Sequence, residues 1–138
     1  MPNNKRWGVL YCPKHELLSP KRRWEKIEKC LKDNGVEYDF IQSESSSGVD
    51  RLIKMMINNG YETIVIVGGD SELNDAVNCL MQYDSSVRER VVLGVIPNGL
   101  MNDFAHFWGF RESDYSQTIK WLKQRHVRKI DLGCIRYT

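Results

Sequence analysis

Apolar residues along this chain alternate between strand-like and helix-like spacing. Trp7-Gly-Val-Leu-Tyr11 is a compact run closed by Pro13 and reads as a strand. Ser19-Pro20 offers an N-cap and then proline at the first helical position. Trp24, Ile27 and Leu31 mark one helical face, and Asn34-Gly35 ends it. Val36 to Ile41 alternates as a second strand, followed by a serine-rich loop from Ser43 to Gly48. Val49, Leu52, Ile53, Met56 and Ile57 predict an amphipathic helix that stops at Asn59-Gly60. The unbroken run Ile64 to Val67 predicts a strand buried on both faces, as in parallel sheets. Leu73, Ala76, Val77, Leu80 and Met81 repeat the helical spacing, and Val91 to Ile96 reads as a fourth strand. Met101, Phe104, Ala105 and Trp108 predict a short helix broken at Gly109, and Tyr115, Ile119 and Leu122 the last helix. Val127 to Ile135 reads as a final strand.

This succession predicts an α/β fold: a three-layer, open, mostly parallel sheet with helices on both faces, in a single domain spanning 1–138. The chain stops at Arg136-Tyr-Thr138, just after a predicted strand, which reads as the edge of a longer protein. A net charge of +2 gives no basic excess, and no aromatic stacking platform accompanies it, which argues against nucleic acid as a partner. Cys12, Cys30, Cys79 and Cys134 have neither paired nor zinc spacing, and the expected setting is reduced and cytoplasmic. No apolar run has the length to cross a bilayer. Trp24, Trp108 and Trp121 sit at core-like helical spacings. His15, His106 and His126 have no metal-ligand spacing.

The chemistry concentrates where strands stop. Thr63-Ile-Val-Ile-Val-Gly-Gly-Asp70 ends a strand at a double glycine and an aspartate, and a helix follows at once. Such a turn brings backbone N–H groups and one carboxylate to the carboxyl end of a strand, where phosphate ligands sit. Val92-Leu-Gly-Val-Ile-Pro-Asn-Gly99 repeats the arrangement. Two readings of Asp70 stand side by side, a phosphate-site residue and a helix N-cap, and the same holds for Asn102 and Asp103.

These motifs resemble the diacylglycerol kinase catalytic domain, a fold shared with sphingosine kinases and more distantly with NAD kinases. The family carries Gly-Gly-Asp-Gly-Thr and then Leu-Asn-Glu-Val-Val-Asn-Gly-Leu, against Gly68-Gly69-Asp70-Ser71-Glu72 and Leu73-Asn74-Asp75-Ala76-Val77-Asn78-Cys79-Leu80 here. It also carries Pro-x-Gly-Thr-Gly-Asn-Asp-Phe-Ala-Arg, against Pro97-Asn98-Gly99-Leu100-Met101-Asn102-Asp103-Phe104-Ala105-His106. Arg128-Lys129-Ile130-Asp131-Leu132-Gly133 matches the strand that leads into the family's second domain. The resemblance implies an ATP- and Mg2+-dependent lipid kinase that phosphorylates the hydroxyl of diacylglycerol or a similar lipid, cytoplasmic and peripheral at the inner membrane surface. It implies Gly68, Gly69, Asp70, Asn74, Gly99, Asn102 and Asp103 at the nucleotide, with Asp70 also beside the metal. The general base is expected in a β-rich C-terminal domain that this chain does not contain. The oligomeric state is left open, a homodimer included.

The departures from the family pattern fall where phosphate is expected. Ser71 adds a Cβ at the third glycine position, and Glu72 places a carboxylate at the threonine position. Two unit charges about 4 Å apart repel by roughly 4 kcal/mol at an effective dielectric of about 20. Leu100 and Met101 replace a Thr-Gly pair, and Tyr11-Cys-Pro-Lys-His-Glu16 lacks the asparagine and glycine of the family's first loop. Glu72 also stabilises a helix N-terminus through the macrodipole. A second function therefore stands beside the first: a non-catalytic relative serving as a binding or regulatory module.

Overall fold

The computed structural model describes residues 6–13, 20–43, 48–99, 101–124, 127, 129–130 and 132–133. Among these, the elements in chain order are β1 (Trp7–Tyr11), α1 (Pro20–Asp33), β2 (Tyr38–Gln42), α2 (Val49–Asn58), β3 (Thr63–Gly68), α3 (Asp70–Leu80), α4 (Ser85–Arg90), β4 (Val92–Pro97), α5 (Asp103–Phe107) and α6 (Tyr115–Lys123). The strands form one parallel sheet in the order β2-β1-β3-β4.

Strand alternation divides the core into two layers. Val9, Tyr11, Val65, Val67 and Ile96 pack with Ile27 and Leu31 of α1 and Ile119 of α6. Leu10, Ile64 and Ile66 pack on the other face with Ile53 and Met56 of α2 and Ala76 and Cys79 of α3. The central strands β1 and β3 are buried along their whole length, whereas β2 lies at an edge and is half-buried to exposed. The α/β three-layer expectation is met.

Three helix stops follow one device. After α1, Gly35 takes φ 67°, its N–H bonds to the Lys32 carbonyl, and Val36 N–H reaches back to Leu31. Gly60 with Tyr61 after α2, and Gly109 with Phe110 after α5, repeat the pattern at φ 89° and 87°. This is the Schellman closure, for which glycine carries no Cβ penalty at positive φ. It also corrects the expected start of β2. Val36 is tied into the end of α1, so the strand begins at Tyr38.

Three further differences emerge. Helix α4 has one aliphatic residue, Val87, so no periodicity announces it; its signal is the Asp84 cap, whose carboxylate accepts from Val87 N–H. The strand expected over 127–135 is absent at 127, 129–130 and 132–133, where Val127, Ile130 and Leu132 are about half exposed; the rest of that stretch lies outside the described residues, as do residues 14–19 of the first loop. Trp121 is 37% exposed rather than core, stacked on Phe110 at 5.8 Å, while Trp24 and Trp108 are half-buried. Cys12 and Cys79 are buried and Cys30 half-buried, all as free thiols.

The topology creates a crevice. From β1 the chain moves through α1 to β2 on one side, and from β3 through α3 to β4 on the other. The connections leaving the carboxyl ends of β1 and β3 therefore diverge, which is where open α/β sheets bind ligands.

Candidate functional site

At that edge the β3–α3 turn and the loop after β4 touch backbone to backbone. A Cβ built on Gly99 would lie 2.2 Å from Gly69 Cα, and one on Gly69 would lie 2.5 Å from the Met101 carbonyl oxygen. Neither residue has positive φ, so glycine is required here by proximity and not by conformation. The contact is pinned by Asn98 N–H donating to the Gly68 carbonyl and Asp70 N–H donating to the Met101 carbonyl, both at 2.9 Å.

Side chains reinforce the crossing. The Asp70 carboxylate accepts from Asp103 N–H at 3.0 Å and Phe104 N–H at 3.1 Å, capping α5 from the first residue of α3. The expected N-cap role of Asp70 on its own helix is not found, since Gly69 is the N-cap of α3; its carboxylate serves the first amides of α5 instead. Asn102 is buried; its Oδ1 accepts from Gly99 N–H at 2.8 Å, and its Nδ2 donates to Gly99 O at 3.1 Å and Glu112 Oε1 at 2.7 Å. Asn98, 1% exposed, accepts from Arg23 Nη1 at 2.9 Å and donates to the Cys12 carbonyl at 3.3 Å, joining the ends of β1 and β4.

Glu72 turns back over the loop. Its Oε2 accepts from Gly69 N–H at 2.9 Å, half of a capping box whose reciprocal bond a glycine cap cannot make. Its stem lies over Gly68, where an added Cβ would meet Glu72 Cβ at 3.2 Å. The surroundings are acidic. Burial, with Asp50 and Glu72, holds the Asp75 carboxyl above its ordinary value. Burial also pushes the Cys12 thiol up to about 12, with the Ser43 hydroxyl pulling back and Glu72 and Asp75 adding to the rise. The buried Ser43 hydroxyl, at the end of β2, has no well-formed hydrogen bond among the described residues.

Of the residues expected at a nucleotide, Gly68, Gly69, Asp70, Gly99, Asn102 and the Asp103 backbone meet in this cluster, and the Asp103 side chain is exposed beside it. Asn74 is exposed one turn along α3, and its side chain makes no hydrogen bond among the described residues. Leu100 lies outside the described residues. Asn98, Ser43 and Glu112 escaped the sequence reading; the Pro97-Asn98-Gly99 motif was a signal for the first, and nothing local marks the other two. Among the described residues no group of three or more His, Cys, Asp or Glu side chains could hold a metal. Mg2+ commonly takes one or two carboxylates and completes its shell with phosphate and water. Asp70, whose carboxylate sits in this cluster, is the residue there that fits that modest demand.

Glu112 also links to His106, whose Nε2 lies 2.9 Å and 3.0 Å from the two carboxylate oxygens. Burial pushes the Glu112 carboxyl up, but its own backbone hydrogen bond, His106 and Asn102 outweigh this and leave it below its ordinary value. Such a group stabilises the fold above its unfolded value of about 4.3 and loses that effect as pH falls through the lowered folded value. Glu112→Gln should therefore flatten the fall of stability below about pH 4 in urea titrations. Identical slopes for the two proteins would rule the linkage out.

Residues 6–135 match the sequence profile of the family described as diacylglycerol kinase catalytic domain. The chain is similar to a diacylglycerol kinase of Staphylococcus carnosus (strain TM300), 25% identical over 129 residues, covering 94% of this chain and 40% of that protein. It is similar also to a diacylglycerol kinase of Bacillus subtilis (strain 168), 26% identical over 129 residues, covering 94% of this chain and 41% of that protein. A crystal structure of a diacylglycerol kinase from Bacillus anthracis str. Sterne superposes with a TM-score of 0.73 at 18% identity, over 90% of this chain and 43% of that one, a likeness of fold. The chain thus spans about two fifths of the length of these relatives. No helix among the described residues is long and apolar enough to cross a membrane.

Proposed function

The chain belongs to the diacylglycerol kinase catalytic domain family, and from that premise we propose that it is the nucleotide-binding part of an ATP- and Mg2+-dependent kinase acting on a lipid hydroxyl. The observation that carries this reading is the crossing of Gly69 and Gly99 at the carboxyl edge, with the N-terminus of α3 facing the crevice. Amides and the positive end of a helix there favour a triphosphate. In phosphoryl transfer the protein contributes mainly position and charge neutralisation. Gly68, Gly69 and the first turn of α3 would hold phosphate oxygens, and Asp70 would share Mg2+ with them. Asn98, Asn102 and Glu112 keep the two loops in register. The lipid, diacylglycerol or a similar molecule, would be met at the membrane surface, with the general base supplied by a second domain.

Isothermal titration of this chain with MgATP tests the nucleotide step, and saturable binding that weakens for Asp70→Asn by about tenfold is expected. Binding unaffected by Asp70→Asn would remove Asp70 from the site. The bond from Gly69 N–H to Glu72 favours a second reading, a non-catalytic module that keeps the fold. Absence of lipid phosphorylation by the full-length protein, with the fold intact, would select it.

A further inference from the structure

Most backbone donors of the two loops are already engaged within the fold. Asn98 and Asp70 N–H go to carbonyls across the crossing, Gly99 N–H goes to Asn102, and Asp103 and Phe104 N–H go to Asp70. Breaking any of these opens the contact between the loops. Gly69 N–H differs, because its acceptor is a side chain three residues along the same turn, and releasing it breaks no bond between the two loops. The Glu72 stem also lies over Gly68, the smooth surface that a phosphate group would use.

Building on the reading of this loop as a phosphate site, we propose that Glu72 is its selecting residue: the carboxylate acts as an internal anion on Gly69 N–H and keeps phosphate out until it swings away. Two effects act together. A bound phosphate needs the amide that Glu72 holds, and it would lie within a few ångströms of a fixed negative charge. Asp75, which interacts with both Glu72 and Asp50, adds to that field. A ligand bringing Mg2+ with its phosphates is favoured over a free anion, since the cation offsets both the ligand charge and Glu72.

The test follows the Gly69 amide by NMR as pyrophosphate is added to the chain and to Glu72→Ala and Glu72→Gln. The expected result is little movement in the unaltered chain and saturable movement in Glu72→Ala, with half-saturation at least about tenfold lower. Glu72→Gln, which keeps an acceptor but no charge, should fall between, and it serves if Glu72→Ala does not fold. Equal response of all three proteins, or none from folded variants, would overturn the proposal. MgATP separates it from the reading it rests on. Variants that take pyrophosphate but not MgATP keep Glu72 as the selector and sink the kinase reading. An unaltered chain that binds both pyrophosphate and MgATP at Gly69 as tightly as Glu72→Ala does the reverse.

Discussion

Gly99→Ala is expected to destabilise the chain by about 3 kcal/mol or more and to lower its melting temperature by about 10 °C. The new methyl carbon would stand 2.2 Å from Gly69 Cα and 2.5 Å from Gly69 N, where carbon contacts normally settle near 3.5–4.0 Å. Overpacking of a core usually costs about 1–3 kcal/mol because side chains turn aside. Here the neighbour is backbone, held by Asn98 N–H to Gly68 O on one side and Asp70 N–H to Met101 O on the other. Relief therefore means breaking those bonds and parting the loops. Gly69→Ala should act alike, and the double variant should cost clearly less than the two single costs added, since both methyl groups open the same contact. Gly94→Ala is the control. Its Cβ would meet Leu122 Cδ2 at 3.1 Å, the end of a side chain that can move, and a cost of about 1 kcal/mol or less is expected. Thermal unfolding by circular dichroism measures all four, and a Gly99→Ala melting curve matching that of Gly94→Ala would mean that the loops do not touch.

This steric origin of the glycines shows where sequence reading stops. The first four strands, most helices and the parallel character of the sheet were legible because they rest on local periodicity and on stops such as Asn34-Gly35 and Asn59-Gly60. The loops were legible as a place, since Gly68-Gly69-Asp70 and Asn98-Gly99 punctuate two strands. Their internal bonding was not. Nothing near Asp70 says that its carboxylate caps a helix more than thirty residues away. Asn102 and Glu112 are ten residues apart, and their pairing depends on how the chain turns at Gly109. Glu72 was legible as a charge in the wrong place for phosphate. Its bond to Gly69 N–H turns a general repulsion into occupation of one particular donor. Helix α4 and the delayed start of β2 escaped for simpler reasons, a single aliphatic residue in one case and a Schellman closure in the other.

Asn102→Ala should cost about 2–4 kcal/mol, because it removes three hydrogen bonds at once and strands a buried donor. Gly99 N–H would lose its acceptor inside the crossing, where water has little access, and Glu112 would lose one of its donors. Asn102→Asp is the more revealing change. It keeps an acceptor for Gly99 N–H but sets a second carboxylate against Glu112, at a position where the present contact is 2.7 Å. Two carboxylates that close cannot both ionise cheaply, so the pair takes up a proton more readily folded than unfolded. Its folded-state titration then lies above the unfolded one, and stability rises as pH falls from neutral toward about 4. The unaltered chain behaves oppositely at this site, since its Glu112 carboxyl is held low in the fold and loses its contribution in acid. Urea unfolding between about pH 4 and pH 7 should therefore show stability rising toward acid at this site for Asn102→Asp and nearly level for the unaltered chain, whose loss sets in only near pH 4 and below. Parallel slopes would place the 102 side chain away from Glu112 and remove the buried clamp that holds the loop after β4 against Gly69.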